Sequence, residues 1–373
     1  MMDSFSTQSE SEHSAEPDDD YTDWEERLEP PRRRETKGSK RRRRAKRGRT
    51  GEIEEGVVIE RSRRNCRVES SSSKQRICYF AGRLRENEKP VVGDNVRIRT
   101  AEDDEGVLEE ILPRKNTLKR VAEGDGGKVR TIAANIDKLF AVLTVDPFPP
   151  RWALADRLLA LCELETFNGG IVVNKMDLLE DVHRRDVAEA ADVYRQLGVP
   201  VYSTSALDGQ GVEGLDRAMQ GCINVFSGHS GVGKSSLLNA IDPEWKLSVG
   251  AVNPITSKGR HTTSAARLLK LPSSGYVVDT PGFREFGLGD IDPEALGRCY
   301  PEFRPIIGRC RFADCLHMEE PGCALRQALK DGTVSSLRYG NYTAILAGLK
   351  AGDGSPGVPL EDGRPDSDHR SRS

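Results

Sequence analysis

The sequence predicts a multidomain protein: an N-terminal β-barrel, a central α/β domain built on a parallel sheet, and a C-terminal, mainly helical, metal-binding segment. Three observations carry this reading. Five short apolar runs separated by turn residues fill positions 51–112, continuous apolar runs alternate with helical patterns from about residue 131, and three cysteines and a histidine crowd residues 310–323. A chain of 373 residues has room for two or three domains.

The tails come first. Formal net charge is −3, but residues 1–30 hold eleven Asp/Glu against Arg27, and residues 32–49 hold twelve Lys/Arg against Glu35. Neither block offers apolar residues to bury, so 1–50 is expected to be a disordered acidic-then-basic tail. The basic stretch reads either as a solvated tail or as an arm that neutralises nucleic-acid phosphates, which the acidic stretch could mask. Residues 351–373 are rich in Gly, Pro, Asp and Ser and are expected to be a second disordered tail. No run approaches the ~18 apolar residues of a membrane span, and the N-terminus lacks an apolar signal core. A cytoplasmic protein without a membrane partner is expected. Its eight cysteines would be reduced, so a cluster among them points to metal rather than disulfides.

Within 51–115, Gly56–Ile59, Asn65–Val68, Arg76–Tyr79, Asp94–Ile98 and Gly106–Leu108 read as strands, with Ser70–Ser73, Glu86–Pro90 and Glu102–Asp104 as turns. Five short strands suit a small closed barrel. An OB-fold that binds RNA is the first candidate, and an SH3-like barrel fits the spacing nearly as well. Arg61, Arg63, Arg64, Arg67, Arg76, Arg83, Arg85, Arg97 and Arg99 are expected to make its surface basic.

Residues 131–288 follow another rule. Leu139–Leu143, Ile171–Val173, Ile223–Phe226 and Tyr276–Val278 are buried-type runs, interrupted only by Asn224, and helical patterns Trp152–Leu164, Arg184–Leu197 and Gly214–Met219 lie between them. Strands apolar on both sides belong to a parallel sheet covered on two faces. Residues 289–350 contain two further helical stretches, near Gly322–Leu329 and Asn341–Leu349.

The chemistry sits at the ends of those strands. Gly228-His229-Ser230-Gly231-Val232-Gly233-Lys234-Ser235, followed by Ser236, matches GxxxxGK[ST] after a strand and before a helix. Its backbone N–H groups and helix end would cradle phosphates, Lys234 would reach the β- and γ-phosphates, and Ser235 would bind Mg²⁺. Asn174-Lys175-Met176-Asp177 follows strand Ile171–Val173, where such sheets bind ligands. The Asp177 carboxylate can accept both N–H groups of a guanine edge, Asn174 would tie this loop to the phosphate loop, and the Lys175 stem would cover the ring. Ser203-Thr204-Ser205-Ala206 would bring the Ser205 and Ala206 backbone to the guanine oxygen. In Asp279-Thr280-Pro281-Gly282, Asp279 would hold Mg²⁺ through water and the Gly282 N–H would sense the γ-phosphate. Lys258 to Thr263 would form the first switch, with Thr262 or Thr263 completing the metal shell. Phe283 stands where many GTPases carry the water-orienting Gln. Intrinsic hydrolysis should therefore be slow, with the water placed by His261 or by a partner such as RNA.

The order of these motifs is itself informative. The base reader precedes the phosphate loop by roughly fifty residues instead of following it, which is the signature of circular permutation. Further on, Cys310, Cys315, His317 and Cys323 supply three thiols and one imidazole. That set suits a closed structural zinc site, leaving Cys66, Cys78, Cys162, Cys222 and Cys299 as small core residues.

Taken together, residues 50–350 resemble the circularly permuted, small-ribosomal-subunit-dependent GTPases of the RsgA/YjeQ type. The motifs above carry the likeness, together with Val91-Val92-Gly93-Asp94, Leu112-Pro113-Arg114 and Asn135-Ile136-Asp137. The resemblance implies an OB-fold, a permuted GTPase core and a zinc domain. It further implies a GTP/GDP switch in late maturation of the small ribosomal subunit, bound to that subunit and its rRNA and stimulated by it. Nothing in the sequence demands a dimer, so a monomer is expected. The acidic-then-basic tail exceeds the family pattern. Two other readings stay open: an RNA-binding assembly factor that carries GTP without turning it over, and a P-loop ATPase or kinase, which Asn174 and Asp177 oppose.

Overall fold

The computed structural model describes residues 51–62, 64–81, 84, 89–102, 104–121, 129–247, 266–279 and 292–350. The two tails lie outside these residues, as do His261, Thr262, Thr263, Gly282 and Phe283.

All five expected barrel strands form: β1 (Ile53–Arg61), β2 (Asn65–Ser70), β3 (Gln75–Phe80), β4 (Asn95–Thr100) and β5 (Glu105–Ile111). They pair in the order β1-β2-β3-β5-β4, and β4 returns to β1 to close the barrel. The β3–β5 pair is parallel and the others antiparallel. This is an OB-like order, and it resolves the choice between barrel types that strand spacing left open. Inward residues alternate along the strands as a half-buried sheet requires: Val58, Cys66, Val68, Cys78, Val96, Ile98 and Leu108 fill the interior.

The barrel's surface corrects one expectation. Its arginines do not make it basic, because strand carboxylates face them. Arg67 pairs with Glu60, Arg76 with Glu54, Arg97 with Glu55 and Glu110, and Arg99 with Glu109. Residues 51–112 in fact contain eleven Lys/Arg and fourteen Asp/Glu.

A hairpin that the apolar pattern did not suggest, β6 (Thr117–Val121) with β7 (Val129–Ala134), follows the barrel. Around it the three short family motifs weld barrel to core. Buried Asp94 accepts from Arg114 through Nε at 2.6 Å and Nη2 at 2.8 Å. Asn135, at φ +55°, donates to Gly93 O at 2.8 Å. Asp137 accepts the Ile223 N–H at 2.9 Å. Gly93 is required here: at φ +85°, any Cβ would stand 2.1 Å from Ala134 O.

The central sheet runs β10 (Val201–Ser203), β9 (Asn168–Asn174), β8 (Lys138–Thr144), β11 (Ile223–Ser227), β13 (Tyr276–Asp279) and β12 (Arg267–Lys270). All neighbours are parallel except the β12–β13 pair. Odd residues of β8 and β9 pack on α1 (Trp152–Glu165) and α2 (Arg184–Gln196), through Ala155, Leu158, Val187, Ala191 and Tyr194. Phe140, Val142, Val172 and Phe226 pack on the other face against α3 (Val212–Met219) and α4 (Lys234–Ile241). Edge strand β12 then pairs with β1, so barrel and core share one eleven-stranded sheet.

The C-terminal segment ends in α5 (Ala324–Lys330) and α6 (Ser336–Lys350) around Leu296, Tyr300, Phe303, Leu325, Tyr342 and Leu346. Helix α6 starts five residues before the expected Asn341, because its first turn buries a charge that apolar periodicity could not register. Arg338 donates to Asp156 of α1 and, at 2.6 Å, to Glu302, while Asn341 donates to Asp156 at 2.8 Å. Burial works against the Arg338 charge, yet Asp156 and Glu302 hold it above even the usual arginine range. Breaking a buried pair strands its other charge, at a cost of about 3–5 kcal/mol. Arg338→Ala is therefore expected to lower unfolding stability by about that amount, and Arg338→Ala with Asp156→Ala by less than the sum of the singles, as read by urea denaturation.

Candidate nucleotide site and metal cluster

Three loops meet at the carboxyl ends of β9, β10 and β11. Asn174, the last residue of β9, is buried; its Nδ2 donates to Val232 O at 2.9 Å and its Oδ1 accepts from Thr204 Oγ1 at 3.1 Å. One carboxamide thus joins the base-reading loop, the phosphate loop and the loop after β10. Lys175 takes the left-handed conformation at φ +62° and opens a tight turn over Met176–Leu178. Asp177 accepts from buried Ser205 Oγ at 2.7 Å, which orients its carboxylate beside half-buried Ala206. Thr204 N–H donates to Val173 O and Met176 N–H to Thr204 O, at 2.8 and 3.1 Å.

The phosphate loop leaves the fully buried strand β11. Gly228 passes so close to β8 that a Cβ would lie 2.3 Å from Val142 O. Gly233, at φ +91°, leaves space for Asn174, whose Nδ2 would be 2.4 Å from an added Cβ. Val232 is buried, Ser235 and Ser236 are half-buried, and Ser230 and Gly231 are exposed. Lys234 curls over its own loop, donating to Gly228 O at 2.6 Å and His229 O at 2.8 Å. His229 Nε2 lies 3.1 Å from Arg151 Nη1, a contact from the loop after β8. At the end of β13, Asp279 Oδ2 accepts from Arg267 Nε at 2.9 Å. Thr204 lies within Ser203-Thr204-Ser205-Ala206 but had no role of its own from sequence, and Arg267 belongs to no motif. Only their positions in the sheet, Thr204 just after β10 beside β9 and Arg267 on β12 beside β13, bring them here.

The Cys310, Cys315, His317 and Cys323 ligand atoms all lie within 4.8 Å of one another, so this set could hold a metal ion. Three soft thiols with one imidazole fit a tetrahedral cation such as zinc. Cys310 and Cys323 Sγ sit 3.4 and 3.5 Å from His317 Nδ1. Burial pushes the Cys315 thiol up to about 12 and His317 below its usual range; a bound cation reverses the first effect, since a coordinating thiol is deprotonated. The knuckle is held from outside. Glu320 accepts from Leu316 and Met318 N–H at 3.0 and 2.8 Å, Tyr339 OH donates to His317 O at 2.6 Å, and Tyr342 OH to Leu316 O at 2.9 Å. Cys66, Cys78, Cys162 and Cys299 are buried elsewhere, and Cys222 is half-buried.

Comparison with known proteins agrees with this geometry. The RsgA GTPase family model matches residues 111–289. The small ribosomal subunit biogenesis GTPase RsgA of Actinobacillus pleuropneumoniae serotype 5b is 38% identical over 300 residues, covering 79% of this chain and 86% of that protein. The protein of the same name from Ectopseudomonas mendocina is 41% identical over 264 residues, covering 70% and 76%. The chain belongs to the RsgA GTPase family. The crystal structure of YjeQ from Thermotoga maritima superposes with TM-score 0.68 at 35% identity, covering 80% of this chain and 99% of that one. YloQ, described as a circularly permuted GTPase, gives 0.66 at 33% identity, covering 83% and 99%. RsgA-family membership makes this chain a GTPase with a permuted core. Among the described residues, no helix is long and apolar enough to cross a membrane.

The Asn174 bridge yields a test within this site. Asn174→Ala leaves Val232 O and the Thr204 hydroxyl without their partner, and a buried unsatisfied polar group costs about 1–3 kcal/mol. Thermal unfolding of the variant is expected to show that loss, and equilibrium titration a matching loss of GTP affinity.

Proposed function

We propose that this chain is a GTP/GDP switch that binds the small ribosomal subunit and its rRNA during late maturation, with hydrolysis stimulated by the subunit. The observation that carries the proposal is the direct Asn174–Val232 bond, which makes a guanine-type base reader and a phosphate loop one site. Relatives named for small ribosomal subunit biogenesis supply the setting.

Asp177 accepts the two guanine N–H groups, Lys175 covers the ring, and the Ser205–Ala206 backbone meets the base oxygen. Backbone N–H groups of Gly228 to Ser236 hold the phosphates. Lys234 exchanges the Gly228 and His229 carbonyls for the β- and γ-phosphates. Ser235, Thr262 or Thr263, and Asp279 through water hold Mg²⁺, which neutralises charge between those phosphates. Gly282 reports the γ-phosphate. Phe283 has no group to orient water, so His261 or the ribosome does so. Cys310, Cys315, His317 and Cys323 hold one structural zinc. The domains are 51–115, 131–288 and 289–350, and the tail 32–49 grips RNA phosphates. The protein works as a cytoplasmic monomer.

The deciding experiment is GTP turnover by the purified protein with and without small ribosomal subunits. Subunits are expected to stimulate it, Lys234→Ala to remove at least about a hundredfold, and His261→Ala to blunt the stimulation. GTP binding without turnover under both conditions would favour an assembly factor that merely carries its nucleotide. Asp177→Asn should weaken GTP about ten- to a hundredfold and favour xanthosine triphosphate, whose edge presents an acceptor where guanine presents a donor. Elemental analysis should find one zinc per chain, lost with cooperative unfolding of the C-terminal segment in Cys323→Ser.

A further inference from the structure

Four adjacent strands each place one charged residue in a single row running from the barrel to the nucleotide site. Arg67 on β2 lies opposite Glu60 on β1, Glu60 opposite Arg267 on β12, and Arg267 opposite Asp279 on β13. Directly opposed residues of antiparallel strands share a face, so the row alternates in charge: plus, minus, plus, minus. The outer pairs are closed, with Arg67 Nε 3.3 Å from Glu60 Oε2 and Arg267 Nε 2.9 Å from Asp279 Oδ2. None of the four is deeply buried; side-chain exposures are 42, 38, 47 and 25% in row order.

The row is held in register by a buried latch. Glu69 of β2 is 5% exposed and accepts from Lys270 Nζ at 2.5 Å, Tyr276 OH at 2.9 Å and Gln75 Nε2 at 3.1 Å. Lys270 ends β12 and Tyr276 begins β13, so the β12–β13 hairpin cannot leave the barrel without unpairing a buried carboxylate. That hairpin connects the segment holding His261, Thr262 and Thr263 to the Asp279 motif.

We propose that Arg267 is a positioning residue for Asp279, and that the barrel's Glu60 competes with Asp279 for it. The proposal rests on the reading of Asp279 as a magnesium-binding carboxylate. While Arg267 pairs with Asp279, it competes with hydrated Mg²⁺ for that carboxylate. Drawing Arg267 toward Glu60 releases Asp279. Arg67, by occupying Glu60, keeps Arg267 on Asp279, and an anion such as an RNA phosphate that captures Arg67 sets Glu60 free. Occupancy of the barrel surface and Mg²⁺–nucleotide loading then favour one another, with equal coupling in both directions.

The test is the Mg²⁺ concentration that half-saturates binding of a fluorescent, non-hydrolysable GTP analogue to the full chain. Alternating charge demands alternating sign. Arg267→Gln and Arg67→Gln lower the half-saturating Mg²⁺, and Glu60→Gln raises it, each by about two- to fivefold, the range that exposed ion pairs supply. Glu60→Gln has no effect in an Arg267→Gln background, and Arg267→Lys, which keeps the charge, stays near wild type. A merely structural role for the row would lower the melting temperature in every variant without opposite signs in Mg²⁺ dependence, and would overturn the proposal. Asp279→Asn separates the two layers. If it leaves the Mg²⁺ dependence unchanged, the magnesium reading itself fails; if it weakens Mg²⁺ while the other variants do not alternate, only the relay fails.

Discussion

The Asn174 carboxamide is the point on which the nucleotide site depends. Three loops, separated by up to 58 residues of sequence, converge on one buried side chain that donates to Val232 and accepts from Thr204. Each loop alone is a short excursion from a strand, anchored by one or two apolar residues: Met176 and Leu179 after β9, Ala206 after β10 and Val232 after β11. Buried and bonded together, they set the distance between base reader and phosphate loop. Gly233 serves the same arrangement, because only a residue without a Cβ leaves room for Asn174 there. The order in which these loops occur along the chain is immaterial to this geometry, which is why a permuted chain can build it.

The barrel and the C-terminal segment are joined to that core by polar contacts rather than by apolar packing alone. Asp94, Arg114 and Asn135 fix one side of the barrel, and Glu69 fixes the other to Lys270 and Tyr276. Asp156, Arg338, Glu302 and Asn341 fix the C-terminal segment to α1. Buried polar groups must meet their partners in one arrangement, so such contacts specify relative placement more sharply than apolar surfaces do. The barrel's arginines are largely engaged by strand carboxylates, and the densest positive charge in the chain is in residues 32–49, directly before β1.

Much of this was legible in the sequence, for reasons that differ between elements. β8, β9 and β11 are each centred on an apolar run (Leu139–Leu143, Ile171–Val173 and Ile223–Phe226, broken only by Asn224) and the five barrel strands are short apolar runs, so local pattern sufficed. The β6–β7 hairpin was missed because Leu118, which joins the main apolar core, stands alone between polar Thr117 and Lys119, so no run or alternation marks the strand. The start of α6 was missed because the residue that anchors it is an arginine, and only its approach to Asp156 makes an arginine a core residue. Paired barrel arginines escaped notice for a similar reason: a list of positive residues does not show which carboxylates stand across the ladder.

What the sequence by itself determined is the chemistry of the parts. The nucleotide motifs, their permuted order and the Cys/His cluster are local strings, and each brings its ligand-binding groups together within a loop or a few turns. Tertiary structure alone decided the strand order of the barrel, its continuity with the central sheet through Glu60 and Arg267, and the neighbours that orient each site residue. Glu69, Arg267 and Arg338 have no motif because their partners are remote in the chain. A hydrogen bond or ion pair across strands depends on register, and register is fixed only when the whole sheet has formed.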